Sequence, residues 1–365
     1  MSDLELQKFL RSNSVEDLQE QYGIKCSVSE QFPELHLFKY SQIDSPMGER
    51  IVQEARGIIL NGNDNWSVVA RPYDKFFNYG EGHAAEIDWT YAKVYEKLDG
   101  SLITMYWYEG EWRIATSGNP DASGEVWNGL GNTITFKDLF WQIWDELGYT
   151  LPDPYFKHFT FMFELMTPFN KVVVQHTEAK IVLHGVRMFK PGFYVDPESW
   201  KKTYGWDVCK TYDFNTIEAI VHNVGQLDPI KSEGYVVVDA EFNRIKVKSP
   251  QYVALHHMRD TLSPRRMLEV IRANEGDEFL TYFPEFQELY DETKLAYNKL
   301  RDYLSANIAD LCTKYPNPSR KDIGLATKGQ FWQGMVFPIV FDGKSIPEML
   351  AAMPIKKLED WILKI

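Results

Sequence analysis

Cysteine is scarce in this chain. Cys26, Cys209 and Cys312 are the only three in 365 residues, too few and too scattered for a disulfide framework or a cysteine-rich zinc site. Reduced thiols in a cytoplasmic protein are the simplest expectation. Long apolar runs are missing too. None approaches the ~20 residues that cross a bilayer, so no membrane is expected as a partner. The N-terminus, MSDLELQKFLRSNSVEDLQ, carries charge throughout and lacks the apolar core of a signal peptide. Positive charge is in deficit: 39 Lys+Arg against 52 Asp+Glu leave a net charge of −13. That balance argues against indiscriminate coating of nucleic acid, but not against a local basic cleft. Internal repeats and low-complexity linkers are also absent. Together these absences exclude a secreted mini-protein, a membrane protein, a collagen and a coiled-coil rod. What is plentiful is core material, with 44% hydrophobic and 15% aromatic residues. At roughly 150 residues per domain, the length suggests about two domains.

Residues 1–40 read as a helical start followed by an extended LHLFKY. The branched apolar run from Gly57 to Leu60 reads as a strand. KVYEKLDGSLITMYWYEGEWRIATSG reads as strand, tight turn, strand, hairpin, strand, with Asp99-Gly100 and Glu109-Gly110 as turn signals. FKDLFWQIWDEL (136–147) has the spacing of an amphipathic helix. Strands are expected at 159–166, 171–174 and 180–188, and GYVVVD with NRIKVKS forms a further hairpin. After Tyr252 the pattern changes. Apolar residues recur every three or four positions from Phe286 to Leu311, which predicts one long helix over about 285–313, stopped by Pro316 and Pro318. Pro347 and Pro354 suit the first turns of two short helices. The expected organisation is α+β: a mixed domain over 1–255 and an all-α domain over 256–365.

Chemistry concentrates in four places. Lys97-Leu98-Asp99-Gly100-Ser101 sets a lysine at a strand end before a glycine turn that lets backbone approach a phosphate. In isolation that motif equally describes a solvated surface turn. Arg244, Lys246 and Lys248 alternate with Ile245 and Val247, so the three cations share one strand face and the apolar pair the other. An anion site backed by core fits, and so does a solvated sheet face. Glu164, in FMFELM, and Glu233, before GYVVVD, are carboxylates among hydrophobics, costly to bury unless paired, hydrogen-bonded or holding a metal. A salt bridge and a hard cation such as magnesium are the two readings. Arg56 and Lys75 complete the set.

Taken in order, EARGIIL, RPYDKFFNYGE, EKLDGSL, FMFELMTPFNKVVV, SEGYVVV and RIKVKSPQYVALH resemble the bacteriophage-type RNA ligase 1 family, over about residues 40–256. That family belongs to the covalent nucleotidyltransferases, together with DNA ligases and mRNA capping enzymes. The resemblance implies a nucleotidyltransferase (ATP-grasp-like ligase) domain of antiparallel sheets flanked by helices. It implies three chemical steps with ATP and Mg2+ or Mn2+. Lys97 takes AMP from ATP, the AMP passes to a 5′-phosphate RNA end, and a 3′-hydroxyl displaces it. Carried over by motif, Glu96, Asp99 and Gly100 belong to the nucleophile segment. Tyr40 and Phe77 match nucleotide-pocket or RNA-end positions, Arg56 contacts phosphate and Lys75 orients pyrophosphate. Glu164 and Glu233 serve the ribose and metal region, and Lys246 and Lys248 grip the α-phosphate with Tyr252 nearby. The implied partner is RNA with single-stranded ends, such as a cleaved tRNA anticodon loop. A monomer in the host cytoplasm is implied as well. The physics agrees: a free lysine is almost wholly protonated near neutral pH, and Lys246, Lys248 and a bound metal all disfavour a charged Lys97.

Two positions depart from the family. Leu98 follows the nucleophile where an acid is common, and Ser117 stands at a basic position, its contact either lost or supplied by Arg113. His256-His257, His83, His158, His176 and His184 show no ligand spacing. Trp107, Trp112, Trp127, Trp141 and Trp144 suit core and hairpin packing better than base stacking. Arg265, Arg266 and Arg272 suggest a solvated helix face, while Lys314, Arg320, Lys321 and Lys328 could meet RNA phosphates. The rivals are a DNA ligase, a capping guanylyltransferase and a non-catalytic RNA-binding protein with a degenerate pocket. The first two normally carry an OB barrel after the last lysine motif, where this chain reads as helical.

Overall fold

The computed structural model describes residues 3–42, 44–127, 133–170, 173–174, 176–189, 193–257, 264–282 and 284–365. By internal contacts the chain divides into two units, Met1–His256 and His257–Ile365.

The first unit opens with helices Glu5–Leu10 and Val15–Tyr22, the second capped by the Ser14 hydroxyl, which accepts from the Asp17 amide. Four antiparallel strands follow in chain order: Ile24–Val28, Leu35–Tyr40, Arg56–Asn61 and Ser67–Ala70. Two larger sheets build the centre. One runs Phe193–Val195, Lys180–Met188, Phe159–Met166, Ser101–Tyr108, Glu111–Thr116, with Asp207–Val208 pairing in parallel with Lys180–Met188. The other runs Thr211–Tyr212, Lys93–Lys97, Gly234–Val238, Arg244–Lys248, Phe77–Asn78, antiparallel except for the last pair.

Strand alternation decides which face of each sheet is greasy. In the second of these sheets Val94, Tyr235, Val237, Ile245 and Val247 pack together with Ile220 and Val224 of helix Ile217–Val224. In the first, Phe161, Phe163, Leu165, Ile181 and Leu183 pack with Phe140, Ile143 and Trp144 of helix Phe136–Glu146. Each such side chain contributes about 1.5–3 kcal/mol by leaving water. With their outer faces covered by helices, both sheets turn their inner faces, where cations stand among apolar residues such as Leu102, Val236 and Val238, towards the site. The implied α+β arrangement of antiparallel sheets flanked by helices is the one observed.

Strands at 159–166 and 180–188 and the two hairpins fall where the alternation puts them. The 171–174 segment differs. Val173 and Val174 are not strand, because both amides donate to the Asp99 carboxylate instead of to a ladder; Lys171 and Val172 lie outside the described residues. Strand Ile24–Val28 is an addition to that reading, although apolar Ile24, Cys26 and Val28 do alternate with polar Lys25 and Ser27.

The second unit, in its described residues, is helical. Tyr290, Thr293, Tyr297, Leu300, Leu304, Ile308 and Leu311 line the buried side of helix Gln287–Lys314, and pack against Leu268, Trp332, Leu358 and Trp361. Pro347 sits in the first turn of Ile346–Ala351, but Pro354 is the N-cap of Ile355–Ile362, one step earlier than expected. Of the arginines expected on a solvated face, Arg265 is exposed and pairs with Glu359 at 3.2 Å, whereas Arg272 is half-buried and donates to the Met353 carbonyl at 2.7 Å. The side chains of Trp127, His257 and Arg266 lie outside the described residues. No helix among the described residues is long and apolar enough to cross a membrane.

In the segment 71–78 that carries Tyr73, Lys75 and Phe77, the Asp74 carboxylate gathers three arginines. Asp74 takes Arg187 at 2.9 Å, Arg71 at 3.1 Å and Arg50 at 2.6 Å, while Arg187 also donates to the Pro72 carbonyl. Burial alone would raise the Asp74 pKa, but Arg187 and Arg71 outweigh it and hold the group below the usual carboxylate range. Stability from a depressed carboxylate is present above its unfolded pKa and lost as pH falls through the folded one. Asp74→Ala strands two buried guanidinium groups and is expected to cost about 3–5 kcal/mol in urea unfolding at pH 7. The difference from wild type should shrink on acidification. A loss below ~1 kcal/mol, the scale of an exposed pair, would show that the network does not hold the segment.

Candidate active site

Three rows cross the Lys93–Lys97, Gly234–Val238 and Arg244–Lys248 strands on their inner face: Lys97–Gly234–Lys248, Tyr95–Val236–Lys246 and Lys93–Val238–Arg244. The cations expected to share a face do so. Gly234 has φ +148°, and a Cβ there would lie 2.1 Å from the Val247 carbonyl oxygen, so only glycine fits between the two lysines. In front of the rows lies a cavity of about 430 Å³, large enough for a nucleotide. Arg56, Glu96, Lys97, Glu164, Lys246 and Lys248 line it, joined by Tyr73, Phe76, Tyr95, His184, Tyr194 and Arg244.

Glu233 is 3% exposed, and its carboxylate bridges the two lysines of the first row. Lys97 Nζ lies 2.6 Å from one oxygen and Lys248 Nζ 3.4 Å from the other. The nearest charged neighbour of the Lys97 amine is therefore a carboxylate, where the sequence suggested an all-cationic surround. The cause is local: residue 233 directly precedes Gly234 on the middle strand, so its side chain reaches both flanking lysines.

The turn after Lys97 is fastened from three sides. Asp99 accepts from the Val173 and Val174 amides at 3.0 and 2.7 Å and from the Tyr252 hydroxyl at 2.9 Å. The Asp99 carbonyl lies 2.6 Å from His176 Nε2. A Cβ on Gly100 would sit 2.5 Å from the Leu165 carbonyl oxygen, so glycine lets the turn lie against the neighbouring sheet. Tyr252 is 2% exposed and does not line the cavity. It belongs to the support of the turn rather than to the pocket wall, and the same holds for Asp99 and Gly100.

Another corner gathers Tyr40, Lys75 and Phe77, with Arg56 beside it. The Lys75 amine lies 4.7 Å from the Tyr40 ring centre and 4.9 Å from that of Phe77. Burial raises the Tyr40 phenol, but Arg56, Lys75 and Lys39 outweigh it and lower its pKa. None of these residues except Arg56 lines the cavity. Arg113 does not serve Ser117: it stacks on Phe32 and donates to the Tyr108 carbonyl. The amine beside Ser117 is that of Lys39, 3.1 Å from its hydroxyl.

Glu164 faces His184 at 3.3 Å on the cavity wall, whereas Glu233 opens on a second cavity beyond Lys97 and Leu98. The two carboxylates do not converge, and the described residues contain no group of three or more His, Cys, Asp or Glu able to hold a metal. The donor set suits a divalent cation carried in largely on phosphate oxygens, with one protein carboxylate added. Burial pushes the thiols of Cys26 and Cys209 up to about 12, which removes them as nucleophiles.

Several cavity residues escaped the sequence reading. Tyr95, Val236 and Val238 were accessible through the same two-residue period that placed Lys97, Lys246 and Lys248. His184 was not. It occupies a β-bulge opposite Met162/Phe163, and a one-residue bulge leaves no mark in composition.

Two sheets enclose a nucleotide-sized, cation-lined cavity, an arrangement suited to nucleotidyl transfer. The chain belongs to the RNA ligase family, whose model matches residues 54–252, more than half its length. It is 28% identical to the RNA ligase of Rhodothermus phage RM378, over 80% of this chain and 79% of that protein. It is also 28% identical to RNA ligase 1 of bacteriophage TS2126, over 53% of this chain and 50% of that one. Among solved structures, an archaeal ATP-dependent RNA ligase superposes with a TM-score of 0.46 at 15% identity, covering 80% of this chain and 79% of that one.

Proposed function

We propose that this RNA ligase joins 5′-phosphate and 3′-hydroxyl RNA ends with ATP, through AMP bound to Lys97. The observation that supports it is the Lys97–Gly234–Lys248 row at the head of the cavity, with Lys246 in the next row. Lys97 Nζ, having lost its proton, bonds to the α-phosphorus while the bond to the β-phosphate oxygen breaks and pyrophosphate leaves. Lys246 and Lys248 hold the negative charge that develops on the transferring phosphoryl group. Arg56 and Lys75 attend the departing phosphates. The RNA 5′-phosphate then takes the AMP from Lys97, and a 3′-hydroxyl oxygen displaces AMP to form the phosphodiester. A divalent cation, Mg2+ or Mn2+, would supply positive charge to the phosphates when bound, with either Glu164 on the cavity wall or Glu233 as the one protein carboxylate that would hold it.

The mixed unit is proposed to carry this chemistry, and the helical one, with Arg320, Lys321 and Lys328 exposed, to select RNA. A monomer acting in a reducing host cytoplasm agrees with three free cysteines.

The test is incubation with α-labelled ATP and divalent cation, followed by a panel of broken tRNA anticodon loops, linear single strands, nicked duplexes and DNA. The expected result is a protein-bound AMP label that is discharged on RNA with 5′-phosphate ends and yields sealed RNA. Labelling by GTP alone would establish a capping activity instead. Preference for nicked DNA would establish a DNA ligase, and an unlabelled protein that still binds RNA would establish a binding module.

A further inference from the structure

Lys39 is the penultimate residue of the strand Leu35–Tyr40 and pairs in register with Arg56 of the next strand. Like charges directly opposite one another across an antiparallel pair repel. No carboxylate among the described residues forms an ion pair with Lys39, Arg56 or the nearby Lys75; Arg56 and Lys75 face aromatic rings instead. One guanidinium nitrogen of Arg56, Nη1, is buried without a hydrogen-bond partner. Burial lowers the Lys39 pKa, Tyr40 opposes that, and Arg56 and Lys25 add to it. Among the described residues, the polar group tethering the Lys39 amine is the Ser117 hydroxyl, at 3.1 Å. Gly118 leaves the amine room: even a Cβ there would stand 3.6 Å away. Three cations around one phenol, two of them opposed on neighbouring strands, form a site whose missing component is an anion.

We propose that Lys39, steered by Ser117, is a substrate-binding residue that acts with Arg56 to hold a terminal phosphoryl group. The group is either the polyphosphate end of ATP or the 5′-phosphate of RNA. This rests on the ATP-dependent ligation proposed above. It also adds a residue to that site: the cation that the hairpin end lacks at Ser117 comes from a different strand.

Lys39→Met keeps the apolar stem and removes the charge; Lys39→Arg restores it. Three reactions separate the two sources: AMP labelling across ATP concentrations, discharge of the AMP onto 5′-phosphate RNA, and sealing of RNA already carrying AMP. A triphosphate site predicts that Lys39→Met raises KM for ATP in labelling at least tenfold, with little change in kcat and both later steps intact. An RNA-end site predicts normal labelling with discharge and sealing reduced at least tenfold. In either case Lys39→Arg should recover most of the loss, and Ser117→Ala should show a smaller defect of the same kind. Equal rates within twofold in all three reactions would overturn the proposal. So would a uniform loss that tracks a fall in Tm and is not recovered by arginine, because that would mark a packing role. If wild type forms no AMP label, the ligation reading itself fails, and Lys39 is then judged by tripolyphosphate binding in calorimetry. At least tenfold weaker binding in Lys39→Met upholds the anion site, and unchanged binding ends it.

Discussion

Lys97→Ala is expected to form no covalent AMP adduct, yet to seal RNA whose 5′ end already carries AMP. Lys97 stands at the end of its strand, on the face that lines the cavity. Alanine leaves no nucleophile there. The first step should fall below detection, more than about 10³-fold. The fold should survive, because Lys97 is partly exposed and its alternation partner Val94 carries the packing on the other face. Sealing of pre-adenylated RNA needs no attack by Lys97, so it should persist with Lys246, Lys248 and Arg56 intact. Mass spectrometry of the wild-type adduct should place AMP on residue 97. An adduct on Lys246 or Lys248, or sealing by the variant only when ATP is supplied, would refute the scheme.

Lys248→Ala is expected to slow adenylylation by about 10²–10³-fold, the scale for removing one preorganised charge from a developing phosphoryl negative charge. Lys248 and Lys97 flank Gly234 and share the Glu233 carboxylate. Removing Lys248 therefore takes away a phosphate contact and also leaves Glu233 to Lys97 alone. Glu233→Gln probes the other half: it keeps the shape and puts two ammonium groups beside a neutral amide. Its expected result is a comparable loss of labelling with a weaker dependence on divalent cation concentration. Single-turnover labelling over a cation titration measures both. Lys248→Ala at wild-type rate would remove the row from the mechanism, and an unaltered cation dependence in Glu233→Gln would remove that carboxylate from the metal's surroundings.

Much of this was readable in the residues alone. The period-two pattern of Arg244–Lys248 fixed both its cationic face and its apolar face, because alternation is a local property of a strand. The long helix from Gln287 to Lys314 was equally plain, since its apolar spacing runs for seven turns. What escaped depended on contacts distant in sequence. Glu233 against Lys97 spans 136 positions, and Lys39 against Ser117 spans 78. Neither partner has a neighbour that signals the pairing. The KVVV segment misled because β-branched residues suggest a strand, while the Asp99 carboxylate outbids a ladder for the amides of Val173 and Val174.

The triple fastening of Asp99 bears on turnover. A catalytic group on a loose loop loses its freedom anew in each cycle, at the expense of substrate affinity or rate. Here two amides and a tyrosine hydroxyl engage both oxygens of the carboxylate, while an imidazole occupies the carbonyl of the same residue. The ordering is completed when the chain folds, so the lysine two positions earlier is already aimed when a nucleotide arrives.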